Sequence, residues 1–70
     1  MKRDVNKLFA EKLVKIRKER KLSQEKLAHL CDVDRTHIGR IERLERSPGL
    51  EIVDKIAIGL GLSLAELLDF

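Results

Sequence analysis

The sequence contains no tryptophan and no tyrosine, and its only aromatic side chains are Phe9 and Phe70. Surfaces that stack unpaired bases are built from such rings, which argues against a binder of single-stranded RNA or DNA. One cysteine, Cys31, leaves no internal disulfide to form and fits a reducing cytoplasm. Four glycines and one proline are few, and none belongs to a glycine-rich phosphate loop. No apolar run approaches the roughly 20 residues that cross a bilayer. The opening Met1-Lys2-Arg3-Asp4 lacks the apolar segment of a signal peptide. These absences predict a soluble cytoplasmic protein with no membrane partner.

What remains is aliphatic and charged. Leu, Ile, Val and Ala dominate a hydrophobic share of 43%. Seventy residues make one domain spanning residues 1–70, and a chain of that size buries only about 60% of its unfolded surface, so its core must be efficient. Charge is unevenly placed. Residues 1–46 hold 14 of the 15 Lys/Arg and 8 of the 12 Asp/Glu, a balance of +6, whereas residues 47–70 carry −3. A basic two-thirds beside an acidic, leucine-rich tail suggests one part for a polyanion and another for protein contact.

The central stretch is Ser23 to Arg43, which reads as two short helices joined by a tight turn. Ser23 caps the first, because its hydroxyl can accept from an unpaired backbone N–H. Cys31-Asp32-Val33 forms the turn, and Asp34 caps the second helix, Arg35 to Arg43. At 100° per residue, Ile38, Ile41 and Glu42 share one side of that helix. Thr36, Arg40 and Arg43 share the other, with Arg35 at the tip. The outer face has three arginines and no carboxylate. Such a rod suits the DNA major groove, where an arginine can bond guanine O6 and N7 together.

Flanking helices supply the walls of the core. Asp4 or Asn6 caps a first helix to about Arg20, with Val5, Phe9, Leu13 and Ile16 in one stripe. Its basic outer face could lie on a membrane, but its stripe is better explained as a core wall. After a loop containing Pro48 and Gly49, a fourth helix from Leu50 to about Leu60 buries Leu50, Val53, Ile56, Ala57 and Leu60 and stops at Gly61. Ser63-Leu64-Ala65-Glu66 is a capping box that opens a last short helix to about Asp69. That helix cannot bury Leu62, Leu64, Leu67, Leu68 and Phe70 beneath itself, so the surplus predicts a homodimer interface. The alternative is that these residues close the monomer core.

Enzyme chemistry finds no support. His29, Cys31 and His37 lack the spacing and the fourth ligand of a structural zinc site, so no metal is expected. Ser, His and Asp are scattered, with no activated nucleophile and no implied cofactor.

The chained pattern from Phe9 to Leu67 resembles the Cro/phage-repressor-like (XRE-type) helix–turn–helix regulators. It runs through Leu22-Ser23-Gln24-Glu25-Lys26-Leu27-Ala28, Asp34-Arg35-Thr36-His37-Ile38, Arg40-Ile41-Glu42-Arg43 and Ser63-Leu64. Its size and its Asp34-to-Arg43 segment are similar to controller proteins of restriction–modification systems; antitoxin subunits share most of the pattern. The resemblance implies an all-α, five-helix, lambda-repressor-like fold, with the motif at helices 2 and 3. It also implies a homodimer on a palindromic operator in double-stranded DNA.

By the same resemblance Arg35, Thr36 and Arg40 contact bases. Gln24, Arg43, Arg46 and Ser47 contact the backbone, with Gln24 also set against the start of the reading helix; from the residues themselves, the helix start capped by Ser23 offers free N–H groups to a phosphate, and His37 at the side of its helix meets a phosphate or base edge or is plainly exposed. Arg17 and Glu42 form an ion pair tying the first helix to the reading helix. A controller would also touch RNA polymerase, through the surface around Glu25 and His29. Four positions depart from the pattern. Leu44 stands where a turn glycine is usual, so the reading helix is expected to run on or end differently. Asp32 replaces another turn glycine, a milder change because Asp tolerates that conformation. Ile58 and Gly59 stand where a charge and an alanine are common, which adds Ile58 to the expected dimer interface. An interaction module whose DNA binding is only autoregulatory is the other reading.

Overall fold

The computed structural model describes residues 3–70; Met1 and Lys2, which open the expected domain span, lie outside the described residues. Five helices follow one another: α1 (Val5–Glu19), α2 (Gln24–Cys31), α3 (Arg35–Glu42), α4 (Gly49–Leu60) and α5 (Leu64–Leu67). Four of them start on a side-chain cap. Asp4 Oδ1 accepts from the Lys7 N–H at 3.1 Å, Ser23 Oγ from Lys26 at 3.0 Å and Asp34 Oδ1 from Thr36 at 2.7 Å. Ser63 and Glu66 form a reciprocal box, with bonds of 3.0 and 2.9 Å. That box holds the Glu66 carboxyl below its ordinary value.

The ends of the first four helices share a different device. The N–H of Leu22, Val33, Glu45 and Leu62 each reaches back five residues, to the carbonyls of Arg17, Ala28, Arg40 and Ala57. The preceding N–H of Lys21, Asp32, Leu44 and Gly61 bonds three residues back. This paired pattern is a Schellman stop, and it needs a left-handed residue at its corner. Only Gly61 is a glycine; Lys21, Asp32 and Leu44 take φ values of 58, 55 and 63°. The reading helix therefore does not run on through Leu44. It ends there in spite of the strain that a Cβ adds at positive φ.

Phe9 and Leu13 from α1, Leu27, Ala28 and Cys31 from α2, Ile38 and Ile41 from α3, and Val53, Ile56, Ala57 and Leu60 from α4 make one core. Helix α2 lies against both α3 and α4, α1 against α3, and α5 against α4. The α2–α4 crossing is close enough that a Cβ on Gly59 would stand 2.6 Å from Cys31 Sγ and 2.7 Å from Cys31 Cα.

Leu50 was expected inside the fourth helix's packing face, yet it is 85% exposed. It sits in the first turn of α4, where Val5, Phe9, Pro48, Val53 and Leu68 line a groove open to the surface, and Val5 is exposed with it. Leu67 was expected in a dimer interface, yet it is fully buried and part of the core. The single turn of α5 points Leu67 down onto the core, while Leu62 is half-buried against it.

Candidate nucleic-acid interface

Helix α3 divides cleanly. Ile38 and Ile41 are fully buried, whereas Arg35, Thr36 and Arg40, and Arg43 at its C-cap, are exposed. Burying two isoleucines fixes the rotation of the helix about its axis, and so fixes which residues face out. Gln24, Arg35, Thr36, Gly39 and Arg43 line one shallow polar groove beside this face. Arg46 and Ser47 are exposed in the loop that follows. The structure thus brings Gln24, Arg35, Thr36 and Arg43 together, with Arg40 further along the same helix.

The base of α3 is anchored by a polar cluster. Arg17 Nε and Nη2 donate to Glu42 Oε2 and Oε1 at 2.8 and 2.9 Å, and Arg17 Nη1 donates to the Leu22 carbonyl at 3.0 Å. Gln24 Nε2 donates to Glu42 Oε1 at 2.9 Å. Gln24, expected against the start of α3, borders Arg35 and Thr36 in that groove, and its amide also reaches the last residue of the helix. Both acceptors of Glu42 are engaged and three elements converge on one carboxylate, which is how a partly buried charge is kept satisfied.

His37 is half-buried on the flank of α3, and its Nε2 is shielded from solvent without a hydrogen-bond partner. Burial, with Arg46 and Arg40 nearby, pushes its pKa below the ordinary 6.5, and Asp34 opposes them. Ser47 Oγ donates to Asn6 Oδ1 at 3.2 Å, which ties the loop to α1. Arg43 is paired with Glu45, through Nε to Oε2 at 3.0 Å and Nη2 to Oε1 at 3.3 Å. Sequence reasoning missed Asn6, Gly39 and Glu45 at this face. A glycine in the middle of a helix, where it costs about 1 kcal/mol against alanine, was the one available signal.

A capped pair of helices across a tight turn, the second buried on one side and cationic on the other, defines a helix–turn–helix DNA-binding protein. The helix-turn-helix family model matches residues 13–67, and the chain belongs to that family, among the Cro/phage-repressor-like (XRE-type) regulators. It is a sequence-specific DNA-binding regulator that resembles restriction–modification controller proteins. Control protein C.BamHI of Bacillus amyloliquefaciens is 42% identical over 71 residues, covering 100% of this chain and 88% of the relative. Control protein C.MunI of Mycoplasma sp is 45% identical over 65 residues, covering 91% and 88%. Among solved structures, the wild-type restriction–modification controller protein C.Esp1396I superposes with a TM-score of 0.84 at 31% identity, covering 97% of this chain and 91% of that one. The hypothetical transcription factor NHTF from Neisseria gives 0.85 at 32% identity, covering 93% and 75%.

Proposed function

We propose that the chain acts as a homodimer on a palindromic operator and controls restriction–modification genes. The observation that carries this reading is α3 itself, with Ile38 and Ile41 fully buried and Arg35, Thr36 and Arg40 exposed on the opposite side. Arg35 and Arg40 each read a guanine, and Thr36 meets a thymine methyl or a phosphate. The capped start of α2 at Ser23 offers its free N–H groups to a phosphate, with Gln24, His37, Arg46 and Ser47 adding backbone contacts. His37 has only Nδ1 to offer, since Nε2 is shielded.

The exposed Ile58, Leu64, Leu68 and Phe70 supply the apolar surface of an isologous dimer, with Leu62 at its edge. A two-fold axis through it sets two reading helices about 34–36 Å apart, one turn of DNA. The likeness to C.Esp1396I, named a restriction–modification controller protein, supports the assignment to restriction–modification genes, as do the relatives named control proteins. On α2, half-exposed Leu30 lies with Glu25, Lys26 and His29 around a surface hollow, a surface for RNA polymerase. Mutating Glu25 tests this last point: unchanged transcription with unchanged DNA binding rules it out.

The main test is selection of bound fragments from random duplex DNA, then a salt titration on the selected and a scrambled duplex. Arg35→Ala erodes the preference between them, while loss of a phosphate-binding cation weakens both. Equal weakening of both duplexes by Arg35→Ala would defeat the base-reading assignment.

A further inference from the structure

Arg43 belongs to the helix terminus rather than to the reading turn, and the family pattern suggests a phosphate for it. Three features of the structure point elsewhere. First, its guanidinium folds back over α3: a Cβ on Gly39 would stand 2.9 Å from Arg43 Nη1 and 3.6 Å from Cζ. Gly39 thus leaves open a seat that alanine would fill, at a mid-helix position where glycine is otherwise unfavourable. Second, the left-handed corner at Leu44 turns the chain, so that Glu45 meets the guanidinium with both carboxylate oxygens, at 3.0 and 3.3 Å. The Glu45 carboxyl is held below its ordinary value by this hydrogen bond. Third, Arg43 shares one groove with Gln24, Arg35 and Thr36.

The edge used matters most. Glu45 takes Nε and Nη2, the side of the fork. The other edge, Nη1 with the remaining hydrogen of Nη2, makes no hydrogen bond among the described residues, and it is the edge that can give two parallel bonds to guanine O6 and N7. The Arg43 side chain as a whole is 56% exposed, which leaves the guanidinium on the surface. From this geometry we infer that Arg43 reads a guanine from the end of α3, and that Glu45 and Gly39 are the residues that position it. The inference rests on the DNA-reading face proposed above and deepens it: each half-site carries a further specified base pair, next to those read by Arg35 and Arg40. Glu45 holds the arginine in one rotamer before DNA arrives, so less freedom is lost on binding.

The test is a binding matrix of the full chain on its selected operator, on every single-base-pair variant of one half-site, and on a scrambled duplex. Arg43→Lys keeps the charge but loses the fork. It should flatten the preference at one base pair by roughly tenfold, leave the other positions as they were, and bind the scrambled duplex as wild type does. Glu45→Gln and Gly39→Ala should weaken discrimination at that same base pair and at no other. Glu45→Gln acts on the exposed surface and should keep the fold, to be checked by circular dichroism, so its result stands if Gly39→Ala misfolds. An unchanged matrix for Arg43→Lys, or a Glu45→Gln protein that binds operator and scrambled duplex more tightly by the same factor, overturns the inference, since both describe a phosphate contact with a countercharge. Failure confined to Arg43 leaves Arg35 discrimination intact. A wild type indifferent to sequence would remove both the inference and the reading beneath it.

Discussion

Arg17 and Glu42 are joined by two parallel hydrogen bonds of 2.8 and 2.9 Å across 25 residues of sequence. Their side chains are only 15% and 6% exposed. The pair holds α3 to α1, and Gln24 adds α2 to the same carboxylate. Glu42→Ala leaves the guanidinium of Arg17 without its counter-charge and should destabilise the fold by about 3–5 kcal/mol in urea denaturation. Replacing both partners together, as Arg17→Met with Glu42→Leu, should recover most of that loss, because no uncompensated charge remains. A single Glu42→Ala change costing under about 1 kcal/mol would mean that the cluster orients little.

Gly59→Ala is expected to destabilise although alanine is the better helix former. The added methyl would stand 2.6 Å from Cys31 Sγ, 2.7 Å from Cys31 Cα and 2.9 Å from the Leu30 carbonyl oxygen. Two of these are backbone atoms, so α2 and α4 must move apart. Overpacking of that kind costs about 1–3 kcal/mol, against about 1 kcal/mol gained in helix propensity. Cys31→Ala in the same chain should relieve only part of the loss, because the clash with Cα stays. Thermal unfolding of the two variants and the double variant measures this.

Much of this fold was legible in the sequence because its signals are local. Ser23, Asp34 and Ser63 with Glu66 announce helix starts by chemistry that acts within one turn. The buried stripe of α3 follows from period alone. The helix ends were harder. A rule that looks for glycine finds Gly61 but not Lys21 or Leu44, whose left-handed φ accompanies the paired backbone bonds of the turn. The Arg43–Glu45 pair depends on that corner at Leu44, so spacing could not reveal it. Leu67 and Leu68 differ only in which way one turn of helix faces, and a four-residue helix is too short for periodicity to decide. The Arg17–Glu42 pairing was legible only through family resemblance, since nothing local links residues so far apart.

The strained corners give a prediction of the opposite sign. Lys21 is exposed at φ 58°, and Lys21→Gly removes the Cβ penalty of about 1 kcal/mol without losing a buried contact. The greater freedom of glycine in the unfolded chain offsets part of this, and the melting temperature should rise by a few degrees. Leu44→Gly should gain less, because the Leu44 side chain is half covered and lines a groove with Ala10 and Val14. A fall in melting temperature for Lys21→Gly would show that its side chain contributes more than the corner costs.

Leu67 and Ile58 should separate stability from assembly. Leu67 is fully buried, so Leu67→Ala should cost about 2–5 kcal/mol whatever the oligomeric state. Ile58 is 72% exposed in the single chain, so Ile58→Lys should leave the melting curve at low protein concentration almost unchanged. In the proposed dimer, however, the lysine charge would be buried on both sides of the two-fold axis. Sedimentation should then report a monomer, and operator binding should become weaker and less steep in protein concentration. An Ile58→Lys protein that sediments as wild type does would move the interface away from α4.

His37 makes stability depend on pH near neutrality. Burial is the main cause of its lowered pKa, with Arg46 and Arg40 acting in the same direction and Asp34 against them. The folded chain therefore releases this proton at a lower pH than the unfolded chain, whose histidine keeps the ordinary 6.5. Between those two values the unfolded state holds more protons, so stability rises with pH through the window and is lost as pH falls. Above the unfolded value the contribution is flat. Melting curves from about pH 7.5 to about pH 5.5 stay above the carboxylate range and isolate the effect. Wild type should lose melting temperature on that descent, and His37→Asn, which cannot take up the proton, should lose less. Parallel curves for the two proteins would mean that the ring is protonated in place without penalty, and that its shielded Nε2 finds a partner when charged.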